Sequence, residues 1–170
     1  MNNTYIKYGF LAVLLVLIQV LILNNVLFLG YINPMIYVLF IFVYPIKENK
    51  YSILLYSFFI GLLIDVFSNS GGSNAAAMLL IAYIRLPILK IIQNNIDFDY
   101  LLFNVKKLNF TQLLIYVFAL IFIHHLIVFS LEYYSLKGFS FIVLKTLYAS
   151  IFSSILVWFS ISLFIKNQKT

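Results

Sequence analysis

The sequence predicts an all-α membrane protein, a polytopic bundle of about six transmembrane helices. Three observations predict it. The 170-residue chain is 64% hydrophobic and 9% charged, whereas a soluble domain is about a quarter charged. Its apolar residues fall in runs of about 16–25, the length at which a helix crosses a bilayer. Its mean hydropathy is +1.06. So much apolar surface has no core to hide in, and the length leaves no room for a soluble catalytic domain. The whole chain, 1–170, reads as a single integral membrane domain.

The spans follow in order. The first is Tyr8 to Leu29. Lys7 before an apolar run imitates a signal peptide, but the run is long enough to span and no small-x-small cleavage site follows, so it reads as a retained helix. The second is Tyr31 to Ile46, with Asn33 as N-cap and Pro34 at the first helical position. At about 24 Å it is short, and must thin the bilayer or sit against neighbours. The third is Tyr51 to Phe67 and the fourth Asn74 to Ile92, with Ser73 or Asn74 as cap. The fifth is Thr111 to Leu131 and the sixth Phe141 to Ile165. Between the fourth and fifth, Phe98, Leu101, Leu102 and Val105 recur at helical spacing within Gln93–Phe110. This pattern reads as an interfacial helix whose Lys106 and Lys107 meet headgroups, or as a docking segment.

Loop charge sets the orientation. Lys7, Lys47, Lys50, Lys90, Lys106, Lys107, Lys166 and Lys169 fall on one side, and only Lys137 and Lys145 on the other. That bias predicts cytoplasmic termini, and it accounts for the net charge of +6 without any nucleic acid partner. The absence of cysteine excludes disulfides, thiol catalysis and thiolate metal sites.

Polar groups inside the spans are the candidate functional residues. A charge at the bilayer centre costs about 2.5–3.5 kcal/mol even on the lenient scale. Asp65 and Arg85 are such charges, within GLLIDVFSNSGGSNAAAMLLIAYIRLPILK, Gly61–Lys90. Gly61 lies one turn before Asp65 on the same face and permits close helix approach. Gly71 and Gly72 belong to the uncharged turn that follows. Asp65 either accepts hydrogen bonds from this turn or binds an ion or a partner's polar group. Arg85 either snorkels to the headgroups or contacts another helix or a partner, and Pro87 predicts a kink beside it. A direct Asp65–Arg85 pair is disfavoured by a depth difference of about 10 Å.

His124, His125 and Glu132 invite a metal hypothesis. Adjacent helical residues point about 100° apart, so the two imidazoles do not easily share an ion, and interhelical hydrogen bonding is the stronger reading. No cofactor, nucleophile motif or phosphate loop is evident. GGSNAAA lacks the phosphate-loop lysine.

The NP opening (Asn33, Pro34), the YP end (Tyr44, Pro45), the G-x-x-x-D stretch at Gly61–Asp65 with its small-residue turn, and HHLIVFSLE (His124–Glu132) together resemble the rod shape-determining MreD family. The resemblance covers nearly the whole chain. It implies a non-enzymatic protein of the bacterial inner membrane, acting in cell elongation and peptidoglycan synthesis. The implied partners are an MreC-like membrane protein and an assembly of MreB, RodA and a class B penicillin-binding transpeptidase. The implied fold is similar to the substrate-binding subunit of energy-coupling-factor transporters. The family's conserved Asp maps to Asp65 and its later Arg to Arg85. The alternative from another class is a vitamin-binding transporter subunit. The small-xxx-small docking pattern of such subunits is missing from the first helix, which has only Ala12 and Gly30. A small lipid-modifying enzyme is a third reading, for which no catalytic constellation is found.

Overall fold

The computed structural model describes residues 2–26, 33–46, 48–93, 108–133 and 139–166. The expected interfacial segment at 93–110 falls almost wholly outside the described residues. Helix α1 spans Asn2–Leu21 and passes into a 3-10 turn, Leu23–Asn25. A second 3-10 turn, Ile36–Val38, runs directly into the short helix α2, Leu39–Val43. Four long helices follow: α3 Lys50–Ser68, α4 Ser73–Gln93, α5 Phe110–Glu132 and α6 Phe139–Lys166. The described residues contain no strand. Five helices are long and apolar enough to cross a membrane, and the chain is a multi-pass helical membrane protein.

Helix ends follow local chemistry. Asn49 caps α3, its side chain accepting from Tyr51 N at 2.9 Å. Asn109 and Gln112 form a reciprocal capping box at the start of α5, at 2.8 and 3.2 Å. Helix α3 closes on Asn69 in the left-handed region, φ 52°. Helix α4 continues through Pro87, which faces outwards.

The second span departs most from expectation. Residues 31–46 do not form a helix of spanning length. The helical part is 36–43, and it lies inside the protein. Val38, Leu39, Phe40 and Ile41 are at most 2% exposed. Consecutive long helices pack side by side from α3 to α6, and α1 packs on α3. The short helix is enclosed among α1, α3, α4 and α6.

This inner segment still returns the chain across the bundle. Gln19, near the end of α1, bonds the backbone at Pro34 and Ile36. Ten residues later Tyr44 packs on Tyr8, near the start of α1, with ring centroids 5.0 Å apart. Three extended and eight helical residues cover about 22 Å. The eleven residue steps of α1 from Tyr8 to Gln19 cover about 17 Å, so the strap is long enough to match them. The sixth traverse is therefore made by a half-extended strap rather than by a long helix. Consequently, α1 starts and α6 ends at the same end of the bundle, where Tyr56 Oη donates to Tyr5 O and Trp158 packs on Phe110.

The outer faces are apolar. Phe10, Leu17, Phe59, Val66, Tyr83, Ile91 and Ile155 are among many large side chains left exposed. On a soluble protein such a surface would be an aggregation hazard. Against hydrocarbon it carries no penalty.

Candidate functional site

A buried polar system runs through the half of the bundle remote from the termini. It begins at Asp65, which is 5% exposed. The first backbone N–H groups of a helix have no partner within it. For α4, Asp65 supplies one from the neighbouring helix. Its Oδ1 accepts from Asn74 N at 3.0 Å and its Oδ2 from Ala75 N at 2.8 Å. Ser70 Oγ and Asn74 Nδ2 also donate to Oδ1, at 2.5 and 2.9 Å. Four donors and the positive end of α4 hold the carboxylate. Of the two expected caps, Ser73 is not one: its hydroxyl has no partner among the described residues. Asn74 acts as a bridge rather than a self-contained cap.

Gly61 makes this arrangement possible. A Cβ at that position would lie 2.5 Å from Ala75 Cα and 2.6 Å from Asn74 O. Backbones of α3 and α4 therefore touch one turn from Asp65. The connecting turn has Gly71 and Gly72 at φ 65° and 95°, a conformation that L side chains rarely adopt. Together these residues fold the turn back so that Ser70 and Asn74 reach the carboxylate.

From Asn74 the system passes to the inner strap. Tyr37 Oη donates to Asn74 Oδ1 at 2.5 Å and lies 3.3 Å from His124 Nε2. Asn74 Nδ2 is already a donor, to Asp65 and to Ser70 at 2.8 Å. That fixes Tyr37 as donor to Asn74 Oδ1, so His124 carries its proton on Nε2 and gives it to the phenol oxygen. His125 has the opposite form. Its Nδ1 donates to Ile121 O at 2.9 Å, and its Nε2 accepts from Ser153 Oγ at 3.2 Å. Ser153 Oγ in turn accepts from Met35 N at 3.0 Å. The two histidines thus serve different neighbours, His124 the strap and His125 helix α6. Glu132 is exposed at the end of α5 and joins neither. Among the described residues no group of three or more His, Asp or Glu could hold a metal ion.

Arg85 lies at the other end of the strap and is 2% exposed. It does not snorkel to the surface. Its Nη1 donates to Ile41 O and Tyr44 O, both at 3.0 Å, and its Nη2 to Pro45 O at 3.3 Å. The guanidinium also lies 5.8 Å from the centre of the Tyr44 ring. The Ile41 and Tyr44 carbonyls are at the C-terminal end of α2 and that of Pro45 is just beyond it, and the negative end of the helix dipole favours a cation there. In a hydrocarbon setting every such group must find a partner inside the protein. Arg85 satisfies three of them, and Pro87, two residues on, takes no part.

The opposite end of the strap is held by Gln19, which is 1% exposed. Its Oε1 accepts from Ile36 N at 2.8 Å, and its Nε2 donates to Pro34 O at 3.2 Å and Asn24 Oδ1 at 3.0 Å. Thus Gln19 and Ser153 hold the start of the strap, Tyr37 its middle and Arg85 its end. The expected cap at Asn33 is replaced by these side chains from α1 and α6. Gln19, Tyr37 and Ser153 are members of this system that sequence reasoning missed, and Asn74 was expected only as a helix cap. For Gln19 there was a signal, since it is the one amide within the apolar run Phe10–Leu23.

Asp65 and Arg85 do not meet. Each caps a different helix, and the strap joins them through Tyr37 and Asn74. Chemically the arrangement fixes backbone positions. Comparison of the chain with family models, curated proteins and solved structures finds no match.

Proposed function

We propose that this chain is a non-enzymatic component of the bacterial cell-elongation machinery, an MreD-like protein that binds an MreC-like membrane partner. Through that partner it helps to organise RodA and a class B penicillin-binding transpeptidase for peptidoglycan synthesis. One observation carries the reading furthest. The buried polar groups most suited to chemistry, Asp65 and Arg85, are occupied with backbone groups of the chain itself. What remains accessible is apolar helix surface and a polar rim. Such a surface suits lipid and other membrane proteins. The sequence resemblance at Gly61–Arg85 and His124–Glu132 supplies the identity of the partner.

In this reading the termini are cytoplasmic, in the inner membrane. Lys7, Lys50 and Lys90 are exposed at the end of the bundle where the chain begins, in keeping with the positive-inside bias. The opposite end presents the turn at Asn69–Gly72 and the exposed Glu132. Asp65 and Arg85 are then internal supports of the partner surface, and the contacts themselves are made by residues around them.

The test is purification of the tagged full chain from its native membrane, followed by identification of what accompanies it. Recovery of an MreC-like protein is expected. Recovery of a coupling protein with an ATPase pair would replace this reading with the vitamin-transporter one, and recovery of neither would remove its basis.

A further inference from the structure

The inner face of α6 carries hydroxyl groups that its neighbours leave unused. Thr146 and Ser150 are fully buried, and Ser154, one turn further, is partly buried. The hydroxyl oxygens of all three have no hydrogen-bond partner among the described residues. The same helix shows what a serine does when it is simply satisfied by its own backbone. Ser160 donates to Leu156 O at 2.8 Å and Ser162 to Trp158 O at 2.9 Å. Thr146, Ser150 and Ser154 make no such return bond, and their burial directs them into the bundle.

A buried hydroxyl without a partner is costly, and ordered water is the usual remedy. The spacing suits it. Residues i and i+4 of a helix are about 6 Å apart along the axis, and two O–H···O bonds of about 2.8 Å meeting at a water molecule span about 4.5 Å, a gap that hydroxyls leaning towards each other can close. One water can then bridge Thr146 and Ser150, and one Ser150 and Ser154, each between two hydroxyls that have no other partner among the described residues. Ser153, on the same face, is already committed to His125 and Met35. We propose that α6 holds a short file of bound water molecules along Thr146, Ser150 and Ser154, inside the bundle and across the middle of the membrane. Ser150 lies close to the midpoint of the span Ser140–Ser162, where lipid alone would supply no water.

Threonine makes the site accessible to measurement, because the chain has only Thr4, Thr111, Thr146 and Thr170. Full-length protein labelled at threonine, in lipid bilayers, is suited to solid-state magnetic resonance with magnetisation transferred from water. Transfer to Thr146 is expected, despite its burial. Transfer to Thr111 at the helix end but none to Thr146 would overturn the proposal. Stability gives a second readout. A dry hydroxyl is a burden, so its removal in Ser150→Ala would leave the folded fraction equal or higher. A hydroxyl holding two waters is a support, and its removal should shift the unfolding equilibrium about threefold to tenfold towards the unfolded form. The combined Thr146→Val, Ser150→Ala, Ser154→Ala variant should recover much of that shift, because it removes the whole file together. A stabilising or neutral Ser150→Ala would refute the water file even if the variant spectra were unassignable.

Discussion

Replacing Arg85 by methionine separates the two roles an intramembrane arginine can have. If Arg85 were a snorkelling charge, Met would fill similar volume and remove a penalty of about 2.5–3.5 kcal/mol. The protein would then be equally or more stable. The structure predicts the reverse. Three carbonyls, Ile41 O, Tyr44 O and Pro45 O, lose their donor. Each hydrogen bond to a charged group contributes about 1.5–3 kcal/mol, so the gross loss is about 5–9 kcal/mol. Part of this is offset, because the variant no longer buries a cation. Water entry at the frayed end of α2 offsets more. A net loss of about 2–4 kcal/mol is expected from these terms. Arg85→Lys should fall between, since an ammonium keeps the charge but lacks the fork that reaches three acceptors. Reversible unfolding in mixed detergent, followed by tryptophan emission, measures this. The sole tryptophan, Trp158, packs on Phe110 at the same end of the bundle. A Met variant within about 0.5 kcal/mol of the parent, a difference ordinary for surface changes, would refute the idea that Arg85 closes the strap.

Other substitutions probe other joints. Gly61→Ala should cost roughly 1–3 kcal/mol by forcing α3 and α4 apart, as overpacking does, and would be read in the same unfolding assay; an unchanged midpoint would mean the crossing is slack. Asp65→Asn keeps the shape but places an amide N–H group against either Ala75 N or the Ser70–Asn74 donors, so stability should fall by about 1–3 kcal/mol. Charge bias predicts that an impermeant maleimide labels Ser68→Cys in intact cells and spares Lys50→Cys; both sites are exposed, at opposite ends of α3, and the chain has no cysteine of its own. Both nitrogens of His125 are engaged, so purified protein should carry no stoichiometric transition metal, and an ion lost on replacing both histidines by alanine would contradict the hydrogen-bond assignment.

Long helices were legible in the sequence because each needs about 20 apolar residues and then a polar stop. The predicted third to sixth spans differ from α3–α6 by one or two residues at each end. The first span was set too far along. Helix α1 begins at Asn2 and yields to a 3-10 turn at Leu23, where Asn24 and Asn25 compete for backbone groups: Asn25 Nδ2 donates to Leu21 O at 3.0 Å. The strap was hidden for a physical reason. A segment buried in protein on all sides and a segment bathed in lipid are both uniformly apolar, so composition does not distinguish them. Length and the flanking Pro34 and Pro45 were the available clues.

The polar residues were easier to find than to interpret. Their depth in the sequence marks them as costly, but what offsets the cost is a partner chosen by the fold. For Asp65 the partner is local, nine and ten residues away across a glycine turn, and the sequence almost contains it. For Arg85 the partners are 40 to 44 residues away and are carbonyls, which no sequence pattern marks. Tyr37 is harder still, since a tyrosine suits lipid, interface or core alike. Once placed, these residues account for one another. A short helix in the middle of a membrane bundle leaves both its ends unsatisfied, and water is not at hand to satisfy them. Gln19, Ser153 and Arg85 lie where those ends fall. The intramembrane charge that first marked Arg85 as a snorkelling or contact residue is explained by the strap: without a short inner helix there would be no unpaired carbonyls to need it, and without Arg85 the end of the inner helix would lack its donor.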